Sequence, residues 1–530
     1  MSESTKQEGE INKRSEHTED IRLSNIRAAR AIADVMRTSL GPKGMDKLLE
    51  NEKGEVLITN DGATILKNLS VLHPTAKLLI QTSNSQDVEA GDGTTSVVIF
   101  AGALLNAAEE LIHKGIHPTT ISDGFALALQ KSLNIINEVA LSVDLSNDEQ
   151  LLQCVKTSLA SKIVSQNSTE LAPIAVNAVK TIADFNKDTN VDLKNIKVVK
   201  KIGATIDDIQ LINGLVFPDN RPSQGAGGPN KILKPKIALI QFCISSPKTD
   251  IENNVTVADY AQIDRILKEE RRYVLEMVKK IAASGANVLL IQKSILRDAV
   301  SELALHFLAK KKIMVVKDIE RTDVPFICKT LGCTPIAHID NLTPEKLGNG
   351  DIAEDHMLPD GAKVFKIEVR NCPTATILAR GSNQLFLDEA ERSLHDALCV
   401  VRCLVKNKGI VAGGGAIEIE IWRSLEQLAD SMDIGSMSLV IKTFAEALEI
   451  IPFTLAENCG LSPVKIVTEM RHRHLNGYKF CGLKARTGQL VDNALEHKIM
   501  QPALVTVSAL TLAAEVTRMI LKIDDILDSR

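Results

Sequence analysis

The stretch EAGDGTTSVVIFAGALL, Glu89 to Leu105, reads as a glycine turn that opens a helix. Gly91 and Gly93 let the backbone turn sharply, and the Val, Ala and Leu positions that follow recur at helical spacing. Such a turn points several backbone N–H groups and the positive helix end at one spot, which makes a site for phosphate. Thr94, Thr95 and Ser96 add hydroxyl groups there. Asp92 would repel a phosphate unless Mg²⁺ sits between its carboxylate and the phosphate oxygens. An Asp cap on the helix is the plainer reading of the same residue.

Upstream, residues 22–40 carry apolar positions at helical spacing and stop at Gly41-Pro42, inside the glycine-containing loop LGPKGMDK of Leu40 to Lys47. EVLIT (55–59) has a strand pattern, and Asn60-Asp61-Gly62 offers turn chemistry for a hairpin into ATILK. From Pro74 to about residue 140 the chain reads as a helical layer with caps such as Asp92 and Ser122, and 403–530 has the same Ala/Leu-rich character. The middle differs. KIALIQFC (236–243), NVLLIQ (287–292) and KIMVVK (312–317) are short apolar strands separated by helical segments, which predicts a parallel α/β region. Residues 256–281 form a long charged helix whose apolar stripe suits a lid element or a packing face equally. Residues 218–230 are a Pro/Gly/Asn loop, and 294–311 read as a helix.

At 530 residues the chain predicts about three or four domains. Its 44% hydrophobic and 24% charged residues argue against disorder and membrane residence. A net charge of −5 supplies no broad cationic surface for nucleic acid. The first twenty residues are polar and unlike a signal peptide, and no apolar run was expected to approach the ~18 residues of a spanning helix, so a cytoplasmic location is expected. Nine scattered cysteines fit reduced thiols, with Cys399 and Cys403 as packing residues on one helix.

Further residues suit phosphate chemistry. VAGGGAIEIE (411–420) sets three glycines before a helical segment, although a flexible linker would look the same. Asp61 suits an ordinary turn, and Asp396 a surface pair with Arg392 four residues earlier. Yet a phosphate-hydrolysing site needs carboxylates to orient or deprotonate water, and these are the right type. Lys162 suits a γ-phosphate contact or a solvated lysine, and His472 and His474 are expected to face solvent. Walker A, HExxH and GxSxG patterns do not occur.

Taken together, TSLGPKGMDKLL, ITNDGATIL, EAGDGTTS, SLASKIVS, ERSLHDAL and VAGGGAIEIE, in this order, resemble a group II chaperonin over residues 20–527. LIQFCISSPKTD, QKSILRDA and KDIERTDVPFICKTLG further resemble one paralogue of the eukaryotic cytosolic complex. The resemblance implies a multidomain chaperonin fold behind a disordered tail at 1–20. It would have a mostly helical equatorial domain (21–149 and 403–530) and an α/β intermediate domain (150–217 and 370–402). An α/β apical domain (218–369) would carry the 256–281 helix in a lid protrusion and bind clients through surfaces such as 294–311 and the 218–230 loop.

The resemblance also implies residue roles. Leu40, Gly41 and Pro42 would lie against the phosphates, Asp92 would ligate Mg²⁺, and Gly93, Thr94, Thr95 and Ser96 would cradle phosphate. Gly414 would meet the nucleoside, Asp61 and Asp396 would activate water, and Ser161 and Lys162 would report the γ-phosphate. Gln501 stands where many members carry an acidic residue near the ribose. The expected function is ATP-driven lid closure in a hetero-oligomeric, eight-membered double ring of paralogous subunits that folds clients such as actin and tubulin. K⁺ beside Mg²⁺ is left open, and chain ends such as LKIDDI (521–526) would add strands to a neighbour's 55–66 hairpin. A weakly hydrolysing scaffold subunit is the alternative, favoured only by Gln501; a small-molecule phosphotransferase lacks an acceptor motif.

Overall fold

The computed structural model describes residues 4–526 apart from 51–53, 55, 146, 184–188, 221, 223–226, 246–256, 258, 295–297, 371 and 433–434. Two compact units emerge: residues 1–176, 185–191 and 388–530 form the first, and 177–184 with 192–387 the second.

The first unit is built on two long apolar helices, Thr94–His113 and Ala503–Leu521, which pack on each other and on the helices Ser4–Arg37 and Pro118–Val139. Ile26, Ala29, Ala33 and Met36 recur on one face of the first helix and are buried. Gly102 lets that face come close, because a Cβ there would lie 2.3 Å from the Ala33 Cβ. Phe125 and Phe444 meet edge to face at 5.3 Å within the same core. Contrary to expectation, Thr94–His113 and Ala503–Leu521 are long and apolar enough to cross a membrane by length and composition; within this unit most of each is buried. The small polar residues scattered along them do not interrupt a helix that packs on several sides.

Several local expectations fail for identifiable reasons. The first helix starts at Ser4, inside the segment expected to be a disordered tail; that segment carries five Glu and two Lys, which favour helix, and no proline. Val56–Thr59 is a strand, but its antiparallel partner is Lys47–Glu50, and residues 62–68 are a helix capped by Asp61 rather than the second arm of a hairpin. Thr94–His113 is capped by Gly93 and not by Asp92, and Ser122 lies inside the helix Pro118–Val139, which His117 caps. Cys399 and Cys403 are buried as expected, with the Cys403 thiol 3.4 Å from the Ala90 carbonyl.

His474, expected at the surface, is completely buried. Its Nδ1 lies 2.9 Å from Glu420 Oε2 and its Nε2 lies 2.9 Å from the Cys481 carbonyl oxygen. The ring thus ties the helix Pro463–Leu475 to the helix Ala416–Ser431 and to the hairpin Gly482–Lys484/Gln489–Val491. His474→Ala removes both contacts and opens a cavity, so it should lower stability by about 3 kcal/mol, read as a lower urea midpoint of the full chain at pH 7.

In the second unit the strands Lys236–Ile240, Val288–Gln292 and Met314–Ile319 run parallel, as expected, and Gly348–Asn349 adds an antiparallel edge. Alternate residues enter two cores: Ala238, Ile240, Leu289 and Ile291 on one face, Ile237, Leu239, Val288 and Leu290 on the other. A second sheet, Gly214–Phe217, Lys363–Glu368, Ile352–Met357 and Lys231–Leu233, is wholly antiparallel. The charged helix spans Tyr260–Ala283; Val274, Met277, Val278 and Ile281 are buried, whereas Ile263, Ile266 and Leu267 near its start are exposed.

The helix expected at 294–311 is only Glu302–Lys310, because the Ser301 side chain caps it and Val300 bridges to Ile244 as extended chain. Residues 295–297, and 221 with 223–226 of the predicted loop, lie outside the described residues.

Candidate functional site

Between the helices Pro74–Glu89 and Thr94–His113 the backbone turns through Gly91 and Gly93, at φ of +72° and +78°. L-side chains rarely adopt this region, and a Cβ on Gly91 would also lie 2.2 Å from the Cys399 Cβ. Asp92 Oδ1 accepts from the Gly93 N–H at 2.7 Å. The Gln86 amide donates to the Asp92 carbonyl at 2.9 Å and is itself held by the Ser508 hydroxyl at 2.7 Å, so the turn is clamped from behind. The N-terminal N–H groups of a 20-residue helix open from this turn.

A cleft of about 490 Å³ lies against the turn. Leu40, Gly41, Pro42, Asp92, Gly93, Ser96, Ser161, Gly414 and Gln501 all line it, so nine sequence-predicted positions from five separate segments converge. Asn458 fixes the first of these segments by donating to the carbonyls of Arg37 and Leu40. Gly414 sits at φ +71°, where a Cβ would come 2.5 Å from the Leu483 carbonyl. The Gln501 amide already donates to the Thr506 hydroxyl at 2.8 Å. The cleft also carries Lys156, Lys484, Arg486 and Lys498, cations suited to a polyanion.

The remaining predicted residues do not line the cleft; four of them form a buried chain. Thr94 donates to Asp61 Oδ1 at 3.2 Å, while Asp61 Oδ2 accepts from the Thr64 amide and hydroxyl. Lys162 Nζ lies 4.0 Å from Asp61 and 2.5 Å from Asp396. Lys162 is therefore not a solvated lysine. The expected Arg392–Asp396 pair is also absent: Arg392 pairs with Glu389, leaving Asp396 to Lys162. Thr95 lies against Gly62, where a Cβ would approach its hydroxyl to 2.7 Å.

The electrostatics follow from burial and charge. Burial works to raise the Asp61 carboxyl, but the Lys162 charge and the hydrogen bonds from Thr64 and Thr94 outweigh it and hold the group below the ordinary range. Burial likewise opposes the Lys162 charge, yet Asp396 and Asp61 raise this lysine above its usual value. Burial pushes Asp396 upward against the pull of Lys162. The two partners are thus moved unequally. A 2.5 Å contact with carboxylates on two sides is the geometry of a charged lysine, and that direction decides the state of the cluster.

The donor set fits a hard divalent cation. Asp92 offers carboxylate oxygen at the cleft wall, with one oxygen fixed by the turn itself. Asp87, His395 and Asp396 also bring ligand atoms within 4.8 Å of one another behind the turn. Sequence reasoning missed Gln86, Ser508, Asn60, whose amide donates to the Ser161 carbonyl at 2.9 Å, and Glu418, which lines the cleft. Of these only Glu418 had a signal, its place three residues after the last of the three glycines.

Residues 32–530 of this mixed helix-and-sheet chain match the TCP-1/cpn60 chaperonin family, and the chain belongs to it. It is a chaperonin polypeptide, a class that binds nucleotide and acts in protein folding. Its relatives include T-complex protein 1 subunit delta of Schizosaccharomyces pombe, 57% identical over 96% of this chain and 97% of the relative. The proteins of the same name from Arabidopsis thaliana (56%, over 97% of this chain and 95% of the relative) and Rattus norvegicus (55%, over 96% and 94%) are similarly close. This delta subunit is the paralogue that LIQFCISSPKTD, QKSILRDA and KDIERTDVPFICKTLG resemble.

Proposed function

We propose that the chain is an ATP-hydrolysing subunit of a cytoplasmic, hetero-oligomeric double ring of eight paralogous subunits, which closes over and folds clients such as actin and tubulin. The observation that carries the reading is Lys162 held between Asp61 and Asp396, next to the helix-start turn of Gly91 to Ser96. In this reading Leu40, Gly41, Pro42, Gly93, Thr94, Thr95 and Ser96 bind the phosphates, and Gly414 and Gln501 meet the nucleoside. Asp92 would hold Mg²⁺, which when bound neutralises phosphate charge. Asp61 and Asp396 orient the attacking water and take its proton, and Ser161 and Lys162 sense the γ-phosphate. Residues 21–149 with 403–530 act as the equatorial domain, 150–217 with 370–402 as the hinge, and 218–369 as the client-binding domain whose lid closes on hydrolysis.

The test is phosphate release by the chain assembled with its partner subunits. Turnover that needs Mg²⁺, stops with EDTA and returns with added Mg²⁺ is the expected result. A native chain that binds no ATP at millimolar concentration would sink the proposal. Binding without hydrolysis by this subunit would leave the scaffold alternative.

A further inference from the structure

Asp92 and Glu418 are the two carboxyl-bearing residues lining the cleft, and they are built differently. Asp92 is partly exposed and its carboxylate accepts from the turn. Glu418 stands in the first turn of the helix Ala416–Ser431, four residues beyond Gly414, and only 5% of it is exposed. Its Oε2 has no hydrogen-bond partner. A buried, unpaired carboxyl oxygen opposes folding, and folded proteins rarely keep one without a reason. A glutamate at this helix position ordinarily reaches back to the cap residue, yet here one oxygen stays unpaired and occluded in a residue that lines the cleft.

We propose that Glu418 contacts the nucleoside of the bound nucleotide, its side chain turning so that the unpaired, occluded Oε2 hydrogen-bonds to a ribose hydroxyl or a base edge. The inference rests on the nucleotide-binding reading above. Burial pushes this carboxyl up to about 7, so near neutral pH it is available both as an O–H donor and as an acceptor. Nucleoside hydroxyl and ring groups suit either form. Phosphate oxygens would repel the ionised form, and the cleft's lysines and arginine suit them better. Gln501, its amide committed to Thr506, leaves room for a second polar contact to the nucleoside.

The experiment is calorimetric titration of the full chain with MgATP, paired with the thermal midpoint measured without nucleotide. Glu418→Leu should weaken ATP binding about tenfold, the loss expected for one buried hydrogen bond to ligand. The same change should leave the nucleotide-free midpoint unchanged or higher, because leucine buries no unpaired oxygen. Glu418→Gln, which keeps a donor and an acceptor, should restore most of the affinity. Glu418→Met, unbranched and nearer in shape, is read the same way where the leucine variant does not fold. ATP binding as tight as native in the apolar variant overturns the inference. So does a lowered midpoint, which would assign the free oxygen a structural role. A native chain that binds no ATP would instead overturn the nucleotide reading itself.

Discussion

Asp396→Asn should cut ATP turnover by this subunit about 10²- to 10⁴-fold, the span of a lost general base, while ATP affinity stays within roughly threefold of native. The two effects separate because Asp396 does not line the cleft that would bind the nucleotide. It lies behind the helix start, buried, with its carboxylate against Lys162. Asparagine keeps the volume and one hydrogen-bonding oxygen but cannot take a proton. Burial, which pushes Asp396 upward, also makes it a stronger base once ionised. Turnover of the native chain should therefore rise with pH along a limb set above the ordinary carboxylate range. Steady-state phosphate release in the assembled ring, with ATP binding measured by calorimetry, checks both halves. Unchanged turnover would remove Asp396 from the chemistry and favour the scaffold alternative, whereas affinity lost in step with turnover would make Asp396 a binding residue.

What the sequence disclosed about this site depended on how local the physics was. The Gly91-Asp92-Gly93 turn was readable because positive φ and a helix start are properties of a few adjacent residues. The parallel strands of 236–319 were readable from short apolar runs separated by helical periodicity. Asp61 was misplaced in a hairpin because the side-chain bond that closes a turn is the same bond that caps a helix, here to the Thr64 amide. Asp396 and Arg392 have the spacing of a helix pair, yet their true partners, Lys162 and Glu389, are chosen by tertiary packing and by a competing neighbour three residues away. His474 looked like one of two exposed histidines because no local pattern announces a buried acceptor such as the Cys481 carbonyl. The family resemblance named the site residues without locating them. Tertiary packing separates those that line the cleft from the buried chain of Thr94, Asp61, Lys162 and Asp396.

Lys162→Met tests that chain most severely. The substitution keeps much of the aliphatic stem but leaves two buried carboxylates without their cation, which should destabilise the native chain by about 3–5 kcal/mol at pH 7. The pH dependence carries a definite sign. In the native chain Asp61 titrates below its unfolded value of about 3.9, so its stabilising contribution is present above that pH and is lost as pH falls through the folded value. Lys162, raised above an unfolded value near 10.4, contributes fully at every pH below that and cannot produce a change between pH 4 and 7. Without the lysine, burial and mutual repulsion push both carboxyls further upward, so the variant loses more stability than the native chain as pH rises from about 4 to 7; the raised Glu418 carboxyl is common to both proteins and cancels in the difference. The difference between the two proteins should therefore be small near pH 4.5 and largest at neutral pH, measured as urea midpoints at the two pH values. Adding Asp396→Asn to Lys162→Met removes one of the unpaired charges and should recover part of the loss. An equal difference at both pH values would mean that Lys162 stabilises by packing, and the charged cluster would then have no part in the nucleotide chemistry.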